Sequence, residues 1–336
     1  MRMKVLLSIV FLSVVSAGYA APDAAVELSS APLKAALSKT TNKFDRVEIL
    51  LKLADLSMQG GDNKSSIEYY RKALAERPYK KSAYSIWMSI GDIYLLDNKY
   101  AEAIDAYKEA VSINKLKEDA RLKLAAAYEK SELFELSRQE YLNIIKFNSK
   151  SFNANYALAL LLQRQNLNSQ AMECFRVALT IKPETKVYRQ IAACAKTLGD
   201  PEIAISMLKR VISSEQSYDD YIHLGTLYQS EQRVKEADEV FSKAVKLDPS
   251  KPEAYIYLGM LYLESNELIP AEKMFQIALE KLPDEALLHY FLSNTYYRQK
   301  NYEAARKEIA LARSLAKGSM MALYSGKYEK YLNSQR

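Results

Sequence analysis

Apolar residues recur along this chain with a period of about 34 residues, and the recurrence runs from Val47 to Ser319. Eight repeats fit this period, and position 1 of each is Val47, Tyr84, Glu118, Phe152, Thr185, Tyr218, Pro252 or Ala286. Within a repeat, the mostly apolar or small positions 20, 24 and 27 have the i, i+4, i+7 spacing of one helix face. The pattern predicts two helices in each repeat, joined by a turn.

Two columns of small residues lie on either side of the predicted turn. Position 8 holds Ala54, Gly91, Ala125, Ala159, Ala192, Gly225, Gly259 and Ser293, and position 20 holds Ser66, Ala103, Ser137, Ala171, Ala204, Ala237, Ala271 and Ala305. Large aromatic residues stand at position 11 on the first helix, as Tyr94, Tyr128, Tyr228, Tyr262 and Tyr296, and at position 24 on the second helix, as Tyr70, Tyr107, Tyr141, Phe175, Phe241 and Phe275. Because small residues let helices approach closely, these columns predict where the two helices of each repeat cross.

Residues that interrupt helices fall at the ends of the predicted elements. Pro78, Pro183, Pro249 and Pro283 follow second helices, where a missing N–H ends a helix. Turns inside repeats carry Gly60-Gly61-Asp62, Asp97-Asn98 and Gly199-Asp200. Only nine glycines and nine prolines occur in 336 residues, so the sequence predicts an all-α fold.

The second repeat, with Trp87, Gly91, Tyr94, Ala103, Tyr107 and Ala110, closely resembles the tetratricopeptide repeat. The resemblance implies an all-α, right-handed α-solenoid, or superhelix, of about eight such repeats over residues 47–319. It also implies that the outermost repeats need covering. Residues 320–336 are expected to form a C-terminal capping helix, and residues 21–46 an N-terminal tail or capping helix.

The first twenty residues have the order of a secretory signal peptide. Arg2 and Lys4 precede an apolar run from Val5 to Val15, and small residues follow as far as Ala20. We expect cleavage near Ala20 and a periplasmic or secreted mature protein without a transmembrane segment. Retention of the segment as an anchor is the alternative, although the run is short for a membrane span.

The charge of the chain argues against nucleic acid as a partner. Lysine and arginine number 47 against 41 acidic residues, and the two signs are interspersed. In an exported protein Cys174 and Cys194 could form a disulfide, or they could be two small buried side chains. A monomer is the expected state.

No sequence motif points to catalysis, a cofactor or a metal. The chain has no glycine-rich phosphate loop, no paired-cysteine metal motif and no nucleophile elbow. Its only histidines, His223 and His289, occupy different positions of repeats two apart, so we interpret them as packing or surface residues. The sequence predicts a protein that is not an enzyme.

The resemblance implies a concave wall formed by positions 2, 5, 9 and 12 of the first helices. Position 5 holds Leu51, Met88, Leu122, Tyr156, Arg189, Ile222, Ile256 and Tyr290, of which seven are apolar. A contiguous apolar strip is typical of an interaction surface. The alternative is that tight winding buries these residues against neighbouring first helices.

Charged residues flank the apolar column. Lys186, Arg189 and Lys196 form a basic group on one helix, preceded by acidic Asp55, Asp92, Asp119 and Glu129. The Lys, Asn and Arg set that relatives use to clamp the carboxylates of chaperone tails is not present, since the first repeat has Leu51 and Asp55 at inner positions. The predicted groove therefore comprises Leu51, Met88, Leu122, Tyr156, Lys186, Arg189, Lys196, Ile222, Ile256 and Tyr290, with an acidic group of the partner held near Arg189.

Two functional hypotheses follow from the sequence. The first is a bacterial envelope scaffold that binds a segment of another protein in this groove while an envelope or secretion complex is assembled. The second is a glycan-handling protein of polysaccharide export or cell-wall synthesis, which would stack sugars on Tyr156, Tyr290 and Tyr297.

Overall fold

The structure, a computed structural model, describes residues 22–316 and 320–334, so the predicted signal peptide lies outside the described residues. Within them the chain forms eighteen helices and no strand, which confirms the all-α prediction. The helices are α1 Pro22–Lys39, α2 Lys43–Gln59, α3 Asn63–Ala75, α4 Lys80–Leu96, α5 Tyr100–Ile113, α6 Glu118–Lys130, α7 Phe134–Phe147, α8 Phe152–Arg164, α9 Asn168–Ile181, α10 Thr185–Leu198, α11 Pro201–Ser214, α12 Tyr218–Ser230, α13 Val234–Leu247, α14 Glu253–Glu264, α15 Leu268–Lys281, α16 Ala286–Arg298, α17 Tyr302–Leu315 and α18 Met320–Ser334.

The described chain divides into two compact parts, residues 22–158 and residues 159–334. In the N-terminal part, α2 packs with α3, α4 with α5 and α6 with α7, and each pair contacts the next. In the C-terminal part the pairs are α10 with α11, α12 with α13, α14 with α15 and α16 with α17. Within each part, helix pairs therefore pack in chain order, as expected for stacked repeats.

Every repeat turns at the same position. Position 15 has a positive φ, between 56° and 80°, in all eight repeats: Gly61, Asn98, Glu132, Asn166, Gly199, Gln232, Asn266 and Lys300. The next N–H then donates back to the carbonyl of position 11, as from Lys99 to Tyr94 at 2.8 Å. This bond closes the helix end and fixes the turn, so position 15 accepts residues other than glycine.

The two small columns lie where the sequence predicts. All sixteen residues of positions 8 and 20 are buried, and in the last repeat the hydroxyl of Ser293 donates to the Ala305 carbonyl at 2.7 Å, directly joining the two columns. Position 24 fills the space beside them. A β-carbon added to Gly259 would lie 2.6 Å from the Phe275 ring, so the glycine is required for this packing.

We expect Ala237→Leu and Ala271→Leu each to lower the free energy of unfolding by about 1 to 3 kcal/mol. Both alanines are fully buried at the helix crossing, where extra volume forces neighbouring side chains out of their preferred rotamers. Chemical denaturation of the two variants measures the loss. Ala310→Leu, on the exposed side of α17, is the control and should change stability little. Equal stability of all three variants would contradict the assigned register.

Helices outside the eight pairs cover both ends. At the N-terminal end Leu37 of α1 packs against the core of the first repeats, and Arg46 donates to the carbonyls of Leu37 and Thr40, both at 3.3 Å. At the C-terminal end α18 packs on α17 and buries Leu332. The hydroxyls of Tyr331 on α18 and Tyr297, 34 residues earlier, are 3.0 Å apart, so α18 takes the place of a further first helix.

Across the described residues, none of the helices combines the length and apolar character needed to cross a membrane.

Candidate functional site

The apolar column at position 5 is largely covered in the N-terminal part. Met88 is buried beside Leu124, Leu51 packs against the core around Leu50, and Leu122 is half-buried. Tyr156 is also half-buried, and its ring stacks on Phe152 with 5.7 Å between centroids. Packing of side chains against neighbouring helices, the alternative interpretation of this column, therefore accounts for much of its apolar character here.

Position 5 is similarly covered in the C-terminal part. Ile222 is half-buried, and Ile256 packs against the core of α14 and α15. Tyr290 and Tyr297 contact Tyr328 of α18, with centroid distances of 5.7 and 6.2 Å. Two of the three tyrosines predicted to stack on sugars thus pack against a ring of α18.

Arg189, near which the sequence predicts an acidic group of the partner, is paired with carboxylates of the chain itself. Nε and Nη2 of Arg189 donate to Asp220 at 3.0 and 2.8 Å, and Nη2 also donates to Glu215 at 2.9 Å. The Asp220 side chain is only 5% exposed, so Arg189 neutralises a buried charge of the next repeat. These hydrogen bonds hold the pKa of the guanidinium above its ordinary value. Arg189 is a structural residue.

Lys186 and Lys196, the two lysines of the basic group, differ from Arg189 in their exposure and contacts. Lys186 is exposed and forms an ion pair with Glu184 at 2.7 Å, and hydrogen bonds from Lys182 and Lys186 lower the pKa of Glu184. Lys196 is also exposed, and it lines a cleft that the sequence did not reveal.

This cleft lies between the first helices α10 and α12 and has a volume of about 630 Å³. Two consecutive small residues of α10, Ala192 and Ala193, line it. Its lining includes buried Leu208 and Leu227. The remaining lining residues are mostly polar: Arg189, Gln190, Lys196, Thr197, Ser217, Asp219, Asp220 and His223.

The chemistry of the cleft suits binding. It combines apolar surface with donors and acceptors of both charges, which is the composition of sites that orient a ligand. Of the predicted groove residues it brings together Arg189 and Lys196. Gln190, Thr197 and His223 were not among the predicted groove residues; Thr197 and His223 are exposed and Gln190 is half-buried.

The four acidic residues predicted to flank the groove, Asp55, Asp92, Asp119 and Glu129, accept hydrogen bonds from tyrosine hydroxyls of the fold. Tyr70 donates to Asp55, Tyr107 to Asp92 and Tyr141 to Glu129, each at 2.6 Å, and Tyr84 donates to Asp119. The three tyrosines at 2.6 Å all occupy position 24, so the side chain that fills the helix crossing also positions a carboxylate on the first helix or at its end.

These tyrosines predict a loss of stability in alkali. Burial and the bond to Asp55 raise the pKa of Tyr70 to about 12, and burial raises the pKa of Tyr218 to about 12. The ordinary tyrosine pKa is about 10, so their contribution is complete below about pH 10 and is lost as the pH rises through about 12. We expect melting temperatures to fall steeply over this range. A melting temperature that stays constant up to pH 12 would contradict the stabilising role of these two tyrosines.

Neither the histidines nor the cysteines form a reactive group in the structure. His289 is buried, with Nδ1 2.6 Å from the Glu308 carboxylate and Nε2 3.2 Å from the Pro283 carbonyl, whereas His223 is exposed. Both match the predicted packing and surface roles. Cys174 and Cys194 are not joined by a disulfide, and burial raises the pKa of the Cys194 thiol, which disfavours its nucleophilic thiolate form.

The sequence matches two family models of the tetratricopeptide repeat, one at residues 51–120 and 271–319 and the other at residues 152–185 and 221–251. Comparison with curated proteins gave no match.

Several solved structures are similar to this chain. The C-terminal part of a TPR repeat-containing protein from Cytophaga hutchinsonii is 15% identical with a TM-score of 0.62, over 71% of this chain and 98% of that one. A tetratricopeptide repeat protein from Parabacteroides merdae is 19% identical with a TM-score of 0.49, over 74% and 98%. PilW, a widely conserved type IV pilus biogenesis factor, is 17% identical with a TM-score of 0.47, over 61% and 96%. At these identities the likeness is one of fold alone.

Proposed function

The chain belongs to the tetratricopeptide repeat family, and we propose that it is a non-enzymatic scaffold of the bacterial cell envelope whose cleft between α10 and α12 binds a segment of a partner protein. The observation that carries the proposal is the cleft itself. It opens between two first helices, and its volume of about 630 Å³ suffices for one or two side chains of a partner.

The charges around the cleft indicate what it would select. Asp220 is neutralised by Arg189, and Asp219 lies 3.6 Å from Lys251, so neither acid is left as an isolated charge. Lys196 and Thr197 are exposed at the rim, while apolar Leu227 lies deeper. A partner segment with an apolar side chain beside a polar or acidic one would match this arrangement.

The envelope location rests on the sequence of residues 1–20, which has the charged, apolar and small-residue order of an export signal. Assembly of an envelope or secretion complex is the process we propose, because an extended repeat protein can hold a partner segment without altering it chemically.

Site-specific photocrosslinking in the native host tests this function. A benzoylphenylalanine residue replaces Gln190 or His223, which line the cleft, and in the control it replaces Lys243, which is exposed on α13. We expect the same partner to be crosslinked from both cleft positions and not from the control. Equal yields from all three positions, or no adduct from either cleft position, would contradict the proposal.

A further inference from the structure

In the N-terminal part, the loops that lead from a second helix to the next first helix form one continuous edge. These connectors are residues 76–79, 114–117 and 148–151. Tyr79 stacks on the ring of Phe44, at the start of α2, with 4.6 Å between centroids. Lys117 lies 4.2 Å from the centroid of the Tyr84 ring on α4, and Ser151 donates to the first residue of α6 at 2.6 Å. Each connector thus contacts the preceding first helix. We call the three connectors, with the first residues of α2 and α4, the connector edge.

Large apolar side chains protrude from the connector edge. Tyr79 and Leu116 are 67% and 70% exposed, and Phe44 is 39% exposed. Tyr79 and Leu116 stand on separate loops, where they can approach a surface without any change in the helix packing. Side chains of these types are the ones that proteins place at the boundary between lipid headgroups and acyl chains.

Basic side chains surround these apolar residues. Lys80 and Lys81 follow Tyr79, and Lys115 precedes Leu116. All three lysines are exposed, and among the described residues no acid pairs with their ammonium groups. The full set of exposed bases at the edge is Lys43, Arg77, Lys80, Lys81, Lys115, Lys117 and Lys150.

The acids near the edge leave this positive charge largely in place. Glu76 pairs with Arg46 at 2.6 Å, and Asp119 lies 3.7 Å from Lys117. Asp45, at the start of α2, is exposed. The exposed bases outnumber such acids, so the edge attracts anions.

The corresponding connectors of the C-terminal part carry the opposite charge. Residues 182–184, 215–217, 248–252 and 282–285 contain the acids Glu184, Glu215, Asp248, Asp284 and Glu285 and the bases Lys182 and Lys251. The repeat itself therefore does not require bases at this edge. The positive charge is a local property of the N-terminal part.

We propose that the connector edge docks on an anionic phospholipid membrane. The exposed lysines are attracted to the negative headgroups, and Tyr79, Leu116 and Phe44 enter the boundary below them. A fluid bilayer admits separate apolar side chains one by one, whereas a folded acidic protein would need a matching pocket for each. The edge shares no residue with the cleft between α10 and α12, so the proposal does not depend on that cleft.

Vesicle flotation of the mature chain, which keeps helices α1 to α18, tests the charge requirement. We expect the chain to float with vesicles of equal parts phosphatidylcholine and phosphatidylglycerol but not with pure phosphatidylcholine, and high salt should release it. The double variant Lys80→Glu and Lys81→Glu should weaken binding about tenfold or more, because it replaces two attractions with two repulsions.

A matched control makes the same change in net charge at the opposite edge. Lys64 and Lys130 are exposed at the turns inside the first and third repeats. The double variant Lys64→Glu and Lys130→Glu should therefore weaken binding far less. Equal losses in the two double variants, or equal binding to vesicles with and without phosphatidylglycerol, would overturn the proposal.

A second pair of variants tests the apolar side chains. Tyr79→Ser with Leu116→Ser keeps every charge and should weaken binding about fivefold or more. Tyr79→Trp adds a second tryptophan to the native Trp87. Vesicles with brominated acyl chains should quench its emission more strongly than that of the wild-type chain.

An acidic protein as the occupant of the edge gives a different set of results. Binding that responds to the lysine reversals but not to the serine substitutions, with no added quenching, would overturn the membrane proposal. Equal affinity for soluble polyglutamate, which has negative charge but no acyl chains, would overturn it too. Either result would assign the edge to an acidic protein.

Discussion

Phe241→Ala is expected to lower the free energy of unfolding by about 3 to 5 kcal/mol, the loss typical of removing a fully buried phenylalanine. Its ring lies at the crossing of α12 and α13, above Gly225, where a β-carbon would overlap it. It also stacks on Tyr257 of α14, with 5.3 Å between centroids. The ring therefore joins one repeat to the next, and hydrogen exchange of α12 and α13 should accelerate together with the loss of global stability.

The fifth repeat suggests a pair of substitutions that should restore the stability lost without the Phe241 ring. It pairs Ala192 with Leu208 at the positions that Gly225 and Phe241 occupy in the sixth. The double variant Gly225→Ala and Phe241→Leu copies that pair and should retain most of the stability that Phe241→Ala loses. Val234→Ala, at an exposed position of α13, is the control. If the Phe241→Ala protein were as stable as the control, the ring would not stabilise the helix crossing.

Arg189→Ala is expected to cost about 3 kcal/mol of stability, the lower end for breaking a buried ion pair because Arg189 itself is 34% exposed. The cost arises at Asp220, whose side chain stays buried with its charge uncompensated. Replacing both partners, as Arg189→Met with Asp220→Leu, removes the buried charge and should restore most of the loss. Chemical denaturation of the three proteins measures these differences.

Lys186→Ala is the matched control on the same helix. Its ion pair with Glu184 is exposed and local, so its removal should change stability by less than about 1 kcal/mol. A similar cost for Arg189→Ala and Lys186→Ala would contradict the structural role of Arg189.

The sequence predicted the helix pairs well, because the columns that define them are set by contacts within one repeat. Positions 8, 20 and 24 meet inside a helix hairpin, so their residue types repeat. The starts of two helices were less visible. α2 begins at Lys43 and α4 at Lys80, each four residues before position 1 of its repeat, Val47 or Tyr84. Residues before position 1 do not take part in the helix crossing, so no repeating pattern marks where these helices start.

The site was harder to predict, because it depends on contacts between repeats. Arg189 and Asp220 are 31 residues apart, and no pattern within one repeat announces their pairing. Position 5 is apolar in seven of the eight repeats, but adjacent helices pack against these side chains and cover much of them. The cleft is lined by residues of two successive repeats, among them Ala193 and His223, so no motif within one repeat marks it.

The central claim is that the cleft between the first helices α10 and α12 binds a protein segment. The affinity of this chain for the partner crosslinked from the cleft positions tests that claim. Ala193 is exposed on α10 and lines the cleft, so Ala193→Trp fills the cleft without entering the core. Isothermal titration of the purified partner should give an affinity at least tenfold weaker for Ala193→Trp, as expected for an interface anchor worth about 1.4 kcal/mol or more. Lys243→Glu, on the exposed side of α13, should bind as the wild type does. Wild-type affinity in the Ala193→Trp protein would contradict the claim.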